Sequence, residues 1–349
     1  DYRSLAETMK HAGMIYFNKG DIDNALSYMN KSYRYAEKNN LLEIMAKVSG
    51  DLGIIYHSTG MMSKALEFFN KSMEISRKLS YQRGVIAACI NTGIVYLDKG
   101  LFLRAEKLFD ESLEIAREVG SRLYECVSLT NLGDISLETG QFEAAERNYK
   151  DSLSLARELD APVEEGVNYI GLAKIHLRFQ RYEEASGFID KALKIFIKSD
   201  ELVSIGDCYI YKGYIAQQSG GAGGNAEKYY DKAAAIFTDC RNDNKRLRAM
   251  RYKGGLLLQK GCVSEALHLY DEVISEIDKL ESDYESAKCW FEKYRALKAA
   301  GSNAAAESLD RAAAYIKNVD RCLWTDTILK SSSSWYDSPM SKGPLCTIS

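Results

Sequence analysis

Amides and cations at regular spacing are the side chains with the clearest chemical use in this sequence. Asn91 and Asn131 stand 40 residues apart, and each amide can both donate and accept hydrogen bonds with a peptide backbone. Further along, eleven consecutive positions hold a single acid and five basic residues, namely Arg241, Lys245, Arg246, Arg248 and Arg251. Such cations bind carboxylates or phosphates, although a solvated charged face has the same composition. Together the two features indicate recognition of a polypeptide with an acidic end.

The residue types needed for catalysis or cofactor binding do not form a pattern. The four histidines are far apart, without the paired spacing of metal ligands, and no nucleophile stands with a base. The stretch GAGGNA at 221–226 has the spacing of a dinucleotide-binding loop, but that motif follows a strand, and the preceding YIYKGYIAQQS has a helical pattern. We therefore expect no enzyme activity and no cofactor, and we interpret GAGGNA as a loop between helices.

Composition argues against several classes of protein. The chain has 46 basic and 49 acidic residues and a net charge of −3, whereas nucleic-acid binding requires a basic excess. No run approaches the ~18 consecutive apolar residues of a membrane span, so we expect no stable membrane insertion. The eight cysteines are scattered without a C-x-x-C pair, which is typical of reduced thiols in the cytoplasm.

The last four residues, Cys346 to Ser349, fit a prenylation signal. Cys346 is therefore a candidate lipidation site. A chance match explains the same four letters, because the pattern is short and Lys342 supplies the only basic charge nearby. A single lipid chain would in any case give only marginal anchoring to a membrane.

A 40-residue repeat runs through the chain. Each repeat has a small residue, a glycine seven positions later, and then an alanine. The first position holds Gly13, Gly53, Gly93, Gly133, Ala173, Gly213, Gly254 and Tyr294; the second holds Gly20, Gly60, Gly100, Gly140, Gln180, Gly220, Gly261 and Gly301; the third holds Ala25, Ala65, Ala105, Ala145, Ala185, Ala226, Ala266 and Ala306. Apolar residues follow helical spacing in both segments of each repeat. The pattern predicts an all-α solenoid of eight antiparallel helix hairpins.

The repeated small residues have a physical cause. A glycine inside a helix costs about 0.5–1 kcal/mol relative to alanine, so we expect it only where the partner helix approaches closely. The repeated alanine would supply the matching small surface on that partner helix. The second glycine is expected to end the first helix with left-handed backbone. Larger residues such as Met29, Phe69 and Phe109 would then fill the gap between hairpins.

The repeat resembles the tetratricopeptide family. The resemblance rests on a small residue followed by Tyr, as in Gly13 and Tyr16 or Gly93 and Tyr96, then on the second glycine, the alanine and an aromatic residue, and it covers about residues 5–316. The period is 40 rather than the usual 34, and in this the chain is similar to Pins/LGN adaptors, kinesin light chains, Rap regulators and the sensor arms of bacterial signalling ATPases. The resemblance implies a right-handed superhelix whose first helices line a concave groove.

The repeat register also predicts the domain organisation. We expect repeats at about 5–40, 41–80, 81–120, 121–160, 161–200, 201–241, 242–281 and 282–316, a capping helix at 317–330 and a flexible tail at 331–349. Repeat five departs from the pattern at Ala173 and Gln180, and repeat eight departs at Tyr294 and Asp310. We expect an elongated molecule, because a solenoid grows in one dimension.

The tetratricopeptide resemblance places one set of side chains in the concave groove. These positions stand at fixed offsets from the first glycine of each repeat, and we expect none of the amides or arginines among them to be needed for packing the hairpins. The predicted peptide-binding residues are Asp51, Asn91, Ile94, Asn131, Asp134, Lys174, Arg178, Tyr211, Tyr214, Arg248, Arg251 and Arg295.

Three functions fit these observations. The first is a cytoplasmic, non-enzymatic adaptor or scaffold. Its groove would hold an extended or helical segment of another protein, and that segment would carry acidic residues. The second is the regulatory arm of a larger signalling ATPase, kinase or cyclase, and the third is a peptide-sensing regulator similar to the Rap proteins. The partner's identity and the oligomeric state stay open, since a fold does not by itself define a function.

Overall fold

The computed structural model of the chain describes residues 1–219 and 224–332. This part contains seventeen α-helices and no strand. In chain order they are α1 Tyr2–Asn18, α2 Ile22–Lys38, α3 Leu42–Ser58, α4 Met62–Lys78, α5 Gln82–Asp98, α6 Phe102–Glu118, α7 Arg122–Glu138, α8 Phe142–Glu158, α9 Pro162–Arg178, α10 Tyr182–Lys198, α11 Leu202–Gln218, α12 Gly224–Asp239, α13 Asp243–Gln259, α14 Val263–Ile277, α15 Asp283–Ala299, α16 Ala305–Ile316 and α17 Leu323–Ser331. None of these helices is both long and apolar enough to cross a bilayer.

Consecutive helices pack in pairs, and each pair packs on the next. Hairpin 1 consists of α1 and α2, and the pairing continues to hairpin 8, which consists of α15 and α16. We call the odd-numbered member of each pair the first helix and the even-numbered member the second helix. The predicted all-α solenoid is confirmed. Part of the GAGGNA stretch lies outside the described residues. All of 333–349, including Cys346, also lies outside them.

In five of the eight hairpins, the glycine of the first helix is required by an aromatic ring of the second helix, whereas Gly13 of hairpin 1 meets Met29. A Cβ added to Gly93 would lie 2.5 Å from Cε1 of Phe109, and one added to Gly133 would lie 2.7 Å from Cε1 of Tyr149. Both rings are fully buried. The expected close approach is therefore present, but the group that excludes a side chain is the large residue rather than the repeated alanine.

Left-handed backbone joins the two helices of most hairpins. Gly20, Gly60, Gly100 and Gly140 have φ between 74° and 82°, as the glycine spacing predicts. Gln180 occupies the same place in hairpin 5 with φ of 56°. An L-residue in this conformation is strained, which is one reason for glycine in these loops. The first four glycines also have a second explanation.

That explanation is a contact between the two ends of the array, which we call the seam. The loop at Gly20 meets the carbonyl oxygen of Asp239, and the loop at Gly60 meets the side chain of Leu280. The Gly100 loop meets Val319 and Tyr284, and the Gly140 loop meets Leu323. The superhelix therefore completes a turn and brings hairpins 1 to 4 against the C-terminal part of the array, a contact that the expectation of an open, elongated solenoid did not include.

Acidic side chains of the seam cap helices that lack a local cap. The second helices α4 and α6 begin after Met61 and Leu101, whose side chains cannot accept a hydrogen bond. A carboxylate oxygen of Glu281 accepts from the Ser63 amide at 2.7 Å, and one of Asp320 accepts from the Leu103 amide at 2.8 Å. Both amides belong to the first turn of a helix, where donors have no partner within the helix.

The last helix is shorter than the sequence predicts. The capping helix expected over 317–330 begins only at Leu323, because the chain turns after Ile316 and makes seam contacts through Val319 and Asp320. Ile328 of α17 is fully buried in an apolar cluster that includes Phe102 and Phe291. The helix thus covers the end of hairpin 8 and also joins it to hairpin 3.

Candidate peptide-binding face

The predicted binding residues form a continuous surface because equivalent positions of neighbouring first helices touch. Lys10 Nζ lies 3.5 Å from Asp51, and Lys174 Nζ lies 2.8 Å from Asp134. The residues of each pair are 41 and 40 positions apart, which is one repeat. We call this surface, which contains all twelve predicted residues, the first-helix face.

Several cations that were predicted to be free are held in ion pairs. Lys174 is paired with Asp134, which also accepts a hydrogen bond from the Tyr149 hydroxyl at 2.7 Å. Burial lowers the pKa of Lys174, but the Asp134 carboxylate outweighs it and holds the pKa above its usual range. Arg295 pairs with Glu292 on its own helix at 3.0 Å. The carboxylates reduce the electropositive character that was expected of the C-terminal half.

Arg251 corrects the expectation that no groove arginine is needed for packing. Only 6% of its surface is exposed. Its guanidinium lies 5.2 Å from the Tyr252 ring and 5.8 Å from the Trp324 ring of α17, and 3.6 Å from a carboxylate oxygen of Glu285. Asp51 is also largely enclosed, and burial raises its pKa. Both residues belong to the interior of the array as much as to its surface.

The two predicted amides are half-buried and keep free hydrogen-bonding capacity. Asn91 makes no hydrogen bond with any residue in the described ranges. Asn131 donates one hydrogen bond to the Val127 carbonyl of its own helix, at 2.8 Å. The second N–H and the oxygen of Asn131 are left for another molecule. Ile94, beside them, packs partly against the neighbouring hairpins.

Three tyrosines and an arginine form a patch on hairpins 5 to 7. Tyr214 and Tyr252 meet edge to face with ring centroids 5.9 Å apart. Tyr211 is half-buried beside them, and burial raises its pKa to about 12. Arg178 is exposed and has no ion pair within the described part of the chain. We call Arg178, Tyr211, Tyr214 and Tyr252 the tyrosine patch.

The reactive groups outside this face are not arranged for catalysis. Burial raises the pKa of the Cys89, Cys208 and Cys289 thiols to about 12, so none of these three is a thiolate near neutral pH. His57 lies 2.8 Å from a carboxylate oxygen of Asp98 of the next hairpin. Among residues 1–219 and 224–332, no group of three or more His, Cys, Asp or Glu could hold a metal ion.

The family model of the tetratricopeptide repeat matches residues 4–78 and 86–158. These segments correspond to hairpins 1 to 4, and the same helix pairing continues to Ile316. Hairpins 1 to 4 are therefore tetratricopeptide repeats, and hairpins 5 to 8 have the same helix pairing. A search of curated protein sequences found no match.

Several solved structures have the same fold. The Rap conjugation gene regulator of plasmid pLS20, in complex with the Phr* peptide, is 16% identical, with a TM-score of 0.66 over 78% of this chain and 73% of that protein. A Rap protein complexed with Competence and Sporulation Factor is 14% identical, with a TM-score of 0.58 over 93% and 96%. A signal transduction ATPase with a tetratricopeptide repeat sensor, from Pyrococcus horikoshii, is 15% identical, with a TM-score of 0.50 over 95% of this chain and 50% of that chain. At these identities the likeness shows the fold alone.

Sequence reasoning missed two acidic partners of the predicted cations. Asp207 holds Lys245 at 2.5 Å and Arg248 at 2.6 Å, and Glu285 holds Lys288. A signal was available, since Asp207 stands 41 positions before Arg248 and lies in the neighbouring first helix. In a repeat protein, residues one period apart are spatial neighbours, so opposite charges at that spacing predict an ion pair.

Proposed function

We propose that this tetratricopeptide array is a cytoplasmic, non-enzymatic interaction module whose first-helix face binds a segment of a partner protein. The observation that carries the proposal is the set of polar groups on that face without an intramolecular partner. Asn91, Arg178 and the hydroxyls of Tyr211 and Tyr214 make no hydrogen bond or ion pair with any described residue, while their neighbours are paired. Partly accessible polar groups without an intramolecular partner, held on a rigid scaffold, are suited to binding.

The chemistry of the face indicates the kind of segment. The Asn91 and Asn131 amides can pair with successive peptide groups of an extended chain, independently of its sequence. The tyrosine patch adds apolar ring surface and hydroxyl donors, which favour apolar or aromatic side chains. A segment crossing hairpins 3 to 7 would meet first the amides and then the tyrosines.

Proteins with similar folds support a peptide ligand. The pLS20 Rap regulator was solved with the Phr* peptide, and another Rap protein with Competence and Sporulation Factor. The seven described cysteines are unpaired thiols, as suits the reducing cytoplasm.

A second candidate is a sensor arm within a larger signalling enzyme. It is favoured by the fold shared with the repeat sensor of the Pyrococcus horikoshii ATPase. The complete coding sequence separates the two candidates: a contiguous ATPase, kinase or cyclase domain would identify an arm. In either case the first-helix face is the proposed binding surface.

Site-specific photocrosslinking in cells tests the proposal. A benzophenone amino acid replaces Tyr214 on the first-helix face or, in a matched control, the exposed Glu114 on second helix α6. We expect a discrete crosslinked partner from position 214 that is absent from position 114. The crosslinked segment is then synthesised and titrated against wild type and the Asn91→Ala, Asn131→Ala double variant. Loss of two neutral hydrogen bonds predicts weakening by about 1–3 kcal/mol.

Two results would contradict this function. One is a partner that crosslinks only from position 114, which would place binding on the second helices. The other is full affinity of the double variant for the crosslinked segment, which would show that the amides do not contact it. Circular dichroism of both variants serves as the folding control.

A further inference from the structure

Arg251 is a buried cation with too few partners. It is 6% exposed, and it donates no hydrogen bond to any residue in the described ranges. Its Nε is buried without an acceptor, and its nearest carboxylate, Glu285, lies 3.6 Å from Nη2. A guanidinium carries five N–H donors, and buried polar groups are almost always hydrogen-bonded. Such a group therefore calls for an acceptor.

Arg248 stands one turn earlier on the same face of α13 and is also incompletely paired. Its Nη2 donates to Asp207 at 2.6 Å, but its Nε is buried without a partner. Residues three apart on a helix are neighbours, and both guanidiniums act on the Glu285 carboxylate. Arg248 pairs with Asp207 of the preceding hairpin, and Arg251 lies nearest Glu285 of the following one. The Arg248 side chain remains 31% exposed, which gives a ligand an approach from the first-helix face.

The carboxylates nearby do not balance the cations. Lys245 and Arg248 share Asp207, while Arg251 and Lys288 share Glu285. Glu292, which also acts on Arg251, is paired with Arg295. The other four cations share two carboxylates, so positive charge is in excess. Burial raises the pKa of Glu285, but Lys288, Arg251 and Arg248 outweigh it and lower the pKa to about 2. Glu285 is therefore already ionised, and the excess cannot be reduced by further deprotonation there.

Aromatic rings shield one side of this cluster of cations from water. The Arg251 guanidinium lies 5.2 Å from the centroid of the Tyr252 ring and 5.8 Å from that of Trp324, and Lys288 Nζ lies 3.6 Å from the centroid of the Tyr284 ring. Rings stack on the face of a guanidinium and leave its edge donors available. Charge-assisted hydrogen bonds are stronger where water is excluded.

We propose that Arg248 and Arg251 form an oxyanion-binding site that takes the side-chain carboxylate of an Asp or Glu in the bound partner segment. The site deepens the proposed function and rests on it, since the carboxylate belongs to the segment held on the first-helix face. Two arginine edges match the planar, two-oxygen shape of a carboxylate. Trp324 of α17 covers the buried end of the site.

The site is tested with small probes, without knowing the partner. N-acetylglutamate amide, whose side chain is a free carboxylate, is titrated at constant ionic strength and followed by tryptophan fluorescence. N-acetylglutamine amide, its neutral isostere, is the matched probe, and inorganic phosphate is the third arm. We expect the glutamate probe to bind wild type and the glutamine probe not to bind.

Two site variants and one control complete the experiment. Arg251→Met and Arg248→Met should each weaken the glutamate probe about 10- to 100-fold, which is the loss of one charged hydrogen bond. Arg311→Met, at an exposed arginine on α16, should have no effect. Because Arg248 is partly exposed, its variant keeps the test decisive if Arg251→Met fails to fold.

Several outcomes would overturn the site. They are equal binding of the two amide probes, tighter binding of phosphate than of the glutamate probe, or equal binding by Arg248→Met and Arg311→Met. Once a partner segment is crosslinked, replacing its acidic residues with amides should weaken wild type and leave Arg248→Met unchanged. If the segment binds at Tyr214 but is insensitive to both arginines, the proposed function stands and the oxyanion site fails.

Discussion

Replacing Gly100 with alanine tests how much the seam contributes to the free energy of unfolding. Gly100 has φ of +74°, and an added Cβ would lie 2.6 Å from Cγ1 of Val319 and 3.0 Å from Cβ of Tyr284. Val319 has a β-branched side chain with few rotamers, and the Tyr284 Cβ is attached directly to backbone. Neither group can move away cheaply. Gly261 is a matched control, because it has φ of +79° in the equivalent loop of hairpin 7 and nothing within 4 Å of its added Cβ.

The two alanine variants share one cost and differ in another. Left-handed backbone costs an L-residue about 1–2 kcal/mol, and this applies to Gly100→Ala and Gly261→Ala alike. Overpacking costs typically a further ~1–3 kcal/mol, and only Gly100→Ala incurs it. We therefore expect Gly261→Ala to lower the free energy of unfolding by about 1–2 kcal/mol and Gly100→Ala by about 2–5 kcal/mol.

Urea unfolding followed by circular dichroism measures this difference. The midpoints of wild type and both variants are compared at equal slope, since a changed slope would signal altered compactness. Small-angle scattering of Gly100→Ala adds a second readout, because an opened seam should increase the radius of gyration. If both alanines destabilise the chain equally, the loop at Gly100 is uncovered in solution and the closed superhelix is wrong.

Two further predictions concern packing and charge. Gly93→Ala should lower the free energy of unfolding by about 1–3 kcal/mol, because its Cβ meets the Phe109 ring. Gly187→Ala, in an exposed helical site with nothing within 4 Å, should raise it by about 0.5–1 kcal/mol. The urea midpoints of the two variants should therefore shift in opposite directions from that of wild type. Glu285→Gln should cost about 3–5 kcal/mol at pH 7 by leaving buried cations unpaired. Since the folded pKa of Glu285 is about 2 and an unfolded Glu titrates near 4.3, its contribution is present above about pH 4.3 and lost as the pH falls toward 2, so unfolding of the variant should depend less steeply on pH in that window.

The hairpin register could be predicted from sequence because its causes are local. A glycine seven residues before a second glycine, followed by an alanine, marks one close helix contact and one left-handed turn. Both features repeat every 40 residues. The contact between Gly93 and the aromatic ring of Phe109 was not predicted, because the sequence gives the spacing of small and large residues but not which of them are in contact. The ends of the helices could be predicted only where the turn between them contained a characteristic residue such as glycine.

The seam could not be predicted because its partners are far apart in sequence. Glu281 caps Ser63 across 218 residues, and no periodicity connects them. Gly60 and Gly100 have seam atoms against them, but Gly261 has a similar left-handed φ with nothing within 4 Å of an added Cβ. The glycine spacing therefore does not distinguish a covered loop from an open one.

The register assigned the predicted binding residues to the first helices, but it did not predict whether each side chain is paired or buried. Whether Arg248 is free depends on Asp207, and whether Arg251 is exposed depends on Trp324 of α17. Charge in a repeat protein is decided by the neighbouring repeat, so a residue must be considered together with those 40 positions before and after it.

Closure of the seam makes remote helices depend on one another, and hydrogen exchange can detect this directly. In an open solenoid, a change after α14 would leave α4 unaffected, because each repeat contacts only its neighbours. Here Glu281→Ala removes the acceptor of the Ser63 amide, 218 residues away. Loss of a helix cap costs about 0.5–2 kcal/mol, so the exchange rate at Ser63 should rise about 2- to 30-fold. The Asn24 amide of α2, which is capped locally by Asp21 at 3.2 Å, is the internal control and should keep its rate. Unchanged protection at Ser63 would show that α4 is not capped across the seam.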